Sequence, residues 1–210
     1  PDINRFSQSI LVEAGDEKLL FDTGRGSAIR LSQANINIGD INEIFLTHLH
    51  SDHTLGMPDV IMTGWIYQRE KILNIYGPKG TRDFIKDIKS AFKEDIKIRV
   101  VPPENHSREG LKTKTNEIQQ GLVFEKNQLK VIAFDVDHGG GVKHAYGYKI
   151  TYKGRSVVIS GDTNYSANLV SHAKNSDLLI HEIADAPLSV INKYPKVKGL
   201  MNYHTTPEEM

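Results

Sequence analysis

The sequence predicts an α+β fold of two stacked sheets covered by helices. Three observations predict it: short β-rich segments dominate, several are joined by tight turns, and amphipathic helical patterns are few. Residues 9–13 and 18–21 flank a Gly15-Asp16 turn and read as a hairpin. Residues 44–47 read as a short apolar strand. Further strands are expected at 72–76, 96–101, 122–125, 129–136, 146–152, 155–160 and 177–181, with hairpin-turn chemistry at Lys126-Asn127 and Lys153-Gly154. The strongest helical pattern is 81–93, where Phe84, Ile85, Ile88 and Phe92 share a face and Thr81 stands as its cap. Weaker patterns cover 166–174 and 25–35. The polar stretch 104–120 reads as a long surface loop.

Composition narrows the function classes. A chain of 210 residues suits a single domain, 1–210, and 39 % hydrophobic with 25 % charged residues argues against disorder. The 26 basic and 26 acidic residues give no electrostatic reason to expect a broad nucleic-acid or anionic-membrane footprint. Without cysteine, any metal is held by nitrogen and oxygen. No apolar run approaches the 18 or so residues of a membrane span. Both ends read as cut: the chain opens on Pro1, and a helix start, with Thr206 as N-cap, Pro207 in the first turn and Glu209 closing a capping box, stands directly before Met210. Localisation, cytoplasmic or periplasmic, stays open.

The chemistry concentrates in His48-Leu49-His50-Ser51-Asp52-His53, directly after the apolar strand 44–47. Imidazole and carboxylate are the ligands of Zn²⁺, Mn²⁺ and Fe²⁺ where thiolate is lacking. The period of two in a strand puts His48 and His50 on one side, and a following turn brings Asp52 and His53 to an adjacent position. That arrangement serves two metals.

Thr47-His48-Leu49-His50-Ser51-Asp52-His53 resembles the HxHxDH signature of the metallo-β-lactamase-fold hydrolases. Phe21-Asp22-Thr23-Gly24 resembles their DTG turn, Val136-Asp137-His138-Gly139 their third-histidine segment, and Ser160-Gly161-Asp162-Thr163 their SGDT motif. Leu179-Ile180-His181-Glu182 and His204-Thr205-Thr206 resemble the late motifs of the ribonuclease Z and arylsulfatase-like branch. The resemblance implies a four-layer αβ/βα sandwich whose C-terminal part is missing. It also implies a centre of two ions, zinc first with Mn²⁺ or Fe²⁺ as alternatives. His138 then joins His48 and His50 on one ion, with His144 as the competing candidate, and Asp162 bridges to the ion held by Asp52 and His53. A further histidine of that second ion is expected past Met210. Asp22 is either an acceptor orienting a metal histidine or an ordinary turn residue. Glu182 and His204 form a pair at the leaving group, because a carboxylate beside an imidazole favours the protonated form that a general acid needs. Asp52 counts as catalytic with them. His106 and His172 read as surface residues.

Two metals and an activated water imply hydrolysis of a phosphodiester or sulfate ester. The interval from His138 to Asp162 is 24 residues, short for the tRNA-gripping arm that ribonuclease Z carries there. With the neutral charge balance, this leads to the expectation of a small-molecule ester substrate, no extended nucleic-acid surface, no membrane and a homodimer as a candidate assembly. The alternatives are a ribonuclease Z-like tRNA 3′-processing endonuclease and a metal-binding module of the same fold without catalysis.

Overall fold

The computed structural model describes residues 4–210, organised as two compact units, one ending at Glu117 and one running Ile118–Met210. In the first unit, β1 (Ile10–Ala14) and β2 (Glu17–Phe21) form the expected hairpin, with Gly15 at φ 63 in its turn. Then follow α1 (Ser27–Gln33), β3 (Glu43–Phe45), α2 (Ser51–Thr54), α3 (Met57–Ile66), β4 (Leu73–Gly77), α4 (Thr81–Ala91), α5 (Lys93–Arg99) and β5 (Thr113–Glu117). The sheet order is β1-β2-β3-β4-β5; β1 is antiparallel to β2, and β2 through β5 run parallel.

The second unit holds β6 (Gly121–Lys126), β7 (Leu129–Asp135), β8 (Tyr146–Tyr152), β9 (Arg155–Ile159), α6 (Ala167–Ala173), β10 (Leu178–Ile180), α7 (Leu188–Lys193) and α8 (Lys196–Met201). Its order is β10-β9-β8-β7-β6, with two successive hairpins and a parallel β9–β10 pair. Both hairpin turns carry left-handed residues, Asn127 and Gln128 in one, Lys153 and Gly154 in the other, as two-residue turns between twisted strands require. The α+β class is met with two mixed sheets. Among the described residues no helix is long and apolar enough to cross a membrane.

Three segments differ from expectation, each for a physical reason. Residues 96–101, whose Ile96-Lys97-Ile98 alternation reads as a strand, begin inside α5. The helix is laced by Lys97–Glu94 at 2.9 Å and Arg99–Asp95 at 3.0 Å, three and four residues apart, and Ile98 is left two-thirds exposed. The stretch 104–120 contains β5, a polar edge strand whose Thr-Lys-Thr-Asn-Glu sequence lacks apolar alternation because none of its residues is fully buried. Helix α3 offers only a narrow polar stripe for periodicity to reveal, Asp59 and Thr63 at i and i+4. Met57, Val60, Ile61, Met62 and Trp65 are all buried, with Pro58 in the first turn where its missing N–H costs nothing.

The core of the first unit gathers Leu20, Ile44, Leu46, Ile61, Trp65 and Ile75, all within 2 % of full burial. Arg69 lies inside it. Its Nε donates to Ile41 O (3.0 Å), Nη2 to Val60 O (2.8 Å) and Nη1 to Ile61 O (3.3 Å), and a Cβ at Gly64 would run into the guanidinium. Burial pushes the Arg69 pKa down to about 10, so the cation persists at neutral pH against three carbonyl dipoles. Arg69→Met is expected to lower stability by about 3 kcal/mol, because it strands buried carbonyls. In a chain of this size that is a fall in Tm of about 6–12 °C by calorimetry. An unchanged Tm would show that water replaces the guanidinium.

Candidate active site

In the first unit the site residues sit at the carboxyl ends of two neighbouring parallel strands, where open α/β sheets place their ligands. Asp22 follows β2 and Thr47 lies just past β3, so both loops leave the same edge. Asp22 is 1 % exposed and adopts φ 58, a left-handed conformation that aspartate tolerates better than most residues. Its Oδ1 accepts from Thr47 N (2.8 Å), and its Oδ2 accepts from Thr47 Oγ1 and His53 Nδ1 (each 2.8 Å). Of the two readings of Asp22, the structure selects the orienting acceptor.

Counting protons assigns the tautomers. Thr47 Oγ1 has one hydrogen and gives it to Asp22. His48 Nδ1, 3.0 Å from that oxygen, must therefore donate to it. His53 Nδ1 donates to Asp22 itself. Both rings then carry their lone pair on Nε2, the form that ligates a metal. His48 and His53 are buried, with ring centroids 4.2 Å apart, and the exposed His50 lies 4.7 Å from His48. The strand ends at Phe45, so His48 and His50 are brought together by the loop and not by strand period. His50 stands at the start of α2, whose single turn carries Asp52 and His53; Asp52 Oδ2 lies 3.8 Å from His53 Nε2, and its side chain is 64 % exposed. Gly24 and Gly56 are required by close packing. A Cβ at Gly24 would strike Asp52 O and Gln8 O, and Gly56 N donates to Thr23 O at 2.7 Å.

In the second unit β7, β9 and β10 run in one direction, each being antiparallel to β8 or parallel to a strand that is. His138, Asp162 and Glu182 thus all follow the carboxyl ends of strands at one edge of the sheet. Asn164 N donates to Asp137 O (2.8 Å), tying the two loops, and His138 Nε2 stands 4.0 Å from Asp162 Oδ2. His138 is 1 % exposed and has Tyr203 against its ring, whereas the competing His144 is exposed. Glu182 Oε1 accepts from Thr163 N (3.2 Å), Thr205 N (3.1 Å) and His204 Nδ1 (3.2 Å). The expected Glu182–His204 pair is formed, and His204 Nδ1 is also 3.8 Å from Asp162 Oδ2. His181 instead turns its Nδ1 to the carbonyl of Glu182.

Two histidines read as surface residues are packed. His106 lies against Trp65 and pairs with Glu104 at 3.3 Å; His172 stacks on Phe134 at 4.3 Å with Nδ1 on Asn168 O. Thr47, Thr205 and Tyr203 were given no role by sequence reasoning. Thr47 offered a signal, a hydroxyl wedged between a buried strand and a histidine cluster. Tyr203 offered none.

The donor set is imidazole and carboxylate, with two tautomers fixed from behind by one buried carboxylate. That suits zinc and its neighbours, and the residues fit a metal centre. The fold and this set define a metallo-β-lactamase-fold hydrolase of the ribonuclease Z-like branch. The chain belongs to the family described as Anti-Pycsar protein Apyc1, which matches residues 2–203. It is 30 % identical over 219 residues to ribonuclease Z of Mycolicibacterium paratuberculosis, covering all of this chain and 75 % of that protein. Among solved structures, human tRNase Z, short form, is 25 % identical with a TM-score of 0.72, covering all of this chain and 81 % of that one. The metallo-β-lactamase-fold protein YhfI from Bacillus subtilis shares the fold at 19 % identity and a TM-score of 0.68, covering 100 % and 74 %.

These relatives correct the expectation of a small-molecule ester substrate with no extended nucleic-acid surface. Ribonuclease Z and tRNase Z are named for RNA substrates. A chain-wide balance of charge and one short interval are poor guides, because phosphate contacts depend on where the cations cluster.

Asp22→Asn is expected to preserve the backbone, since asparagine also accepts positive φ. It places an NH₂ or a single carbonyl where one oxygen now receives two donors. Zinc affinity should fall about 10–100-fold in a chelator competition. Wild-type affinity would assign Asp22 to turn geometry alone.

Proposed function

We propose that this protein is a dinuclear-zinc phosphodiesterase of the ribonuclease Z type that cleaves RNA. The residues that would hold the metal are His48, His50, Asp52, His53, His138 and Asp162. The observation that carries the reading is the pair of carboxylates behind the imidazoles, Asp22 on His53 and Glu182 on His204, each completed by backbone N–H donors. When bound, the metals supply Lewis acidity and a nucleophile from water at neutral pH.

The chain's own residues do the rest. Asp22 and Thr47 hold His48 and His53 with Nε2 forward. Glu182 holds His204 Nδ1, which leaves His204 Nε2 as the atom that faces the leaving 3′ oxygen as general acid. Gly24 and Gly56 let the Asp22 loop and the α2 turn approach without a side chain between them. We assign the same phosphodiester chemistry to the anti-Pycsar role stated in the family's name. Sulfate esters, the other substrate class of the arylsulfatase-like resemblance, form the comparison arm of the test.

The test is cleavage of a precursor tRNA beside bis(p-nitrophenyl) phosphate and p-nitrophenyl sulfate. RNA and phosphodiester turnover abolished by chelation and restored by zinc supports the reading. Turnover of the sulfate alone, or bound zinc with no turnover, overturns it. His50→Ala should lose bound metal and activity together, read by plasma mass spectrometry and rate. His204→Ala should slow RNA cleavage by about 10²–10⁴-fold, because a sugar alkoxide needs protonation, while sparing the nitrophenyl diester. An equal loss on both would leave His204 as a binding residue.

A further inference from the structure

His138 is held differently on its two sides. Towards β7 the backbone is tied, with Val136 N donating to Ala145 O at 3.0 Å and Asn164 N to Asp137 O at 2.8 Å. On the other side stand Gly139, Gly140 and Gly141, at φ 68, 57 and 86. Val142 N donates to Gly139 O at 2.9 Å and closes a turn whose two central residues both have positive φ. Glycine adopts that conformation without strain, but it loses more backbone freedom on folding than any other residue. A run of three therefore holds its neighbour loosely unless something braces it.

Tyr203 is placed to be that brace. A Cβ on Gly140 would lie 3.5 Å from the ring atoms Cε1, Cε2 and Cζ alike, so Gly140 sits over the face of the ring; a Cβ on Gly139 would come within 3.0 Å of Tyr203 Cβ. The same ring lies 5.9 Å from the His138 ring at an angle of 32°, and His138 is almost fully buried. The backbone around Tyr203 is itself anchored on both sides. Asn164 Nδ2 donates to Asn202 O at 3.0 Å, and Glu182 Oε1 receives His204 Nδ1 and Thr205 N. Asn164, two positions after Asp162, thus serves twice, through its amide N–H on the His138 segment and through its side chain on the Tyr203 segment. An aromatic ring beside a histidine is most often packing and nothing more. This ring covers the glycine turn and the histidine together, and both of its flanks are tied to residues of the site.

We propose that Tyr203 is a positioning residue for the metal centre: its ring braces the Gly139–Gly141 turn and so keeps the His138 imidazole at the edge where Asp162 stands. The proposal rests on the metal-centre reading above and is independent of which phosphodiester is cleaved. The contact is made by the face of the ring, so a phenyl ring serves as well as a phenol.

The experiment is a competition for zinc between a chromophoric chelator and the wild-type, Tyr203→Phe and Tyr203→Ala proteins. Tyr203→Ala should weaken zinc binding about 10–100-fold, as the loss of a residue that orients a ligand does, while Tyr203→Phe stays within about twofold of wild type. In a His138→Asn background the further change Tyr203→Ala should cost less than about twofold, because no imidazole is left to position. Cobalt substitution supplies a spectroscopic signature: the visible ligand-field bands should shift or weaken in Tyr203→Ala and hold in Tyr203→Phe. With bis(p-nitrophenyl) phosphate the loss should fall on kcat at limiting zinc and be recovered at saturating zinc, with KM unchanged. If Tyr203→Ala fails to fold by circular dichroism, two milder variants carry the test. Tyr203→Leu keeps bulk without a flat ring, Asn164→Ala releases Asn202 O, and each should weaken zinc binding about 10-fold. Wild-type zinc affinity in the folded variants, an equal loss in the His138→Asn background, or a raised KM at wild-type zinc affinity overturns the brace and leaves the metal centre standing. Absence of zinc binding by the wild-type chain removes both.

Discussion

The buried carboxylate of Asp22 is the constraint on which the histidine loop depends. One side chain receives an amide, a hydroxyl and an imidazole N–H, and all three come from the segment that follows β3. An aspartate at 1 % exposure is tolerated because every donor is within 2.8 Å; without them the charge would carry a large desolvation cost. The same carboxylate fixes the tautomer of His53 directly and that of His48 through Thr47, whose single proton is already given to Asp22.

The second unit repeats the logic with other parts. Glu182 Oε1 collects Thr163 N, Thr205 N and His204 Nδ1, so the loop after β9 and the segment at 204–205 are both referenced to one oxygen. Thr205 Oγ1 adds a bond to Thr163 O at 2.8 Å, and Ala184 N donates to Thr205 O. In each unit a carboxylate at the end of a strand binds backbone N–H groups of a neighbouring loop before it binds a histidine. Backbone donors cannot rotate away, which makes them a firmer reference than another side chain.

This explains what was legible in the sequence. The hairpins β1–β2, β6–β7 and β8–β9 could be read because turn chemistry and strand alternation are local. The histidine cluster could be read because its ligand-type residues fall within six positions. Tyr203 could not be read, since its meaning comes from His138, 65 positions away, whereas Thr47 carried a local hint whose meaning is completed only by Asp22, 25 positions away. The alternation in 96–101 misled because two ion pairs at helical spacing outweighed it, and β5 was hidden because none of its residues is fully buried, so its sequence needs no apolar alternation.

The same distinction between local and summed quantities governs the electrostatics. Equal totals of 26 acidic and 26 basic residues constrain the far field only, and ionic screening confines exposed charges to a range of about 10 Å at moderate salt. Within that range α4 presents Arg82, Lys86 and Lys89 on one stripe, and its aspartates on another. Helical periodicity segregates charge just as it segregates apolar residues, so the faces of a neutral chain can be far from neutral. Composition points to a partner when one sign prevails throughout, and misleads when secondary structure sorts the two signs apart.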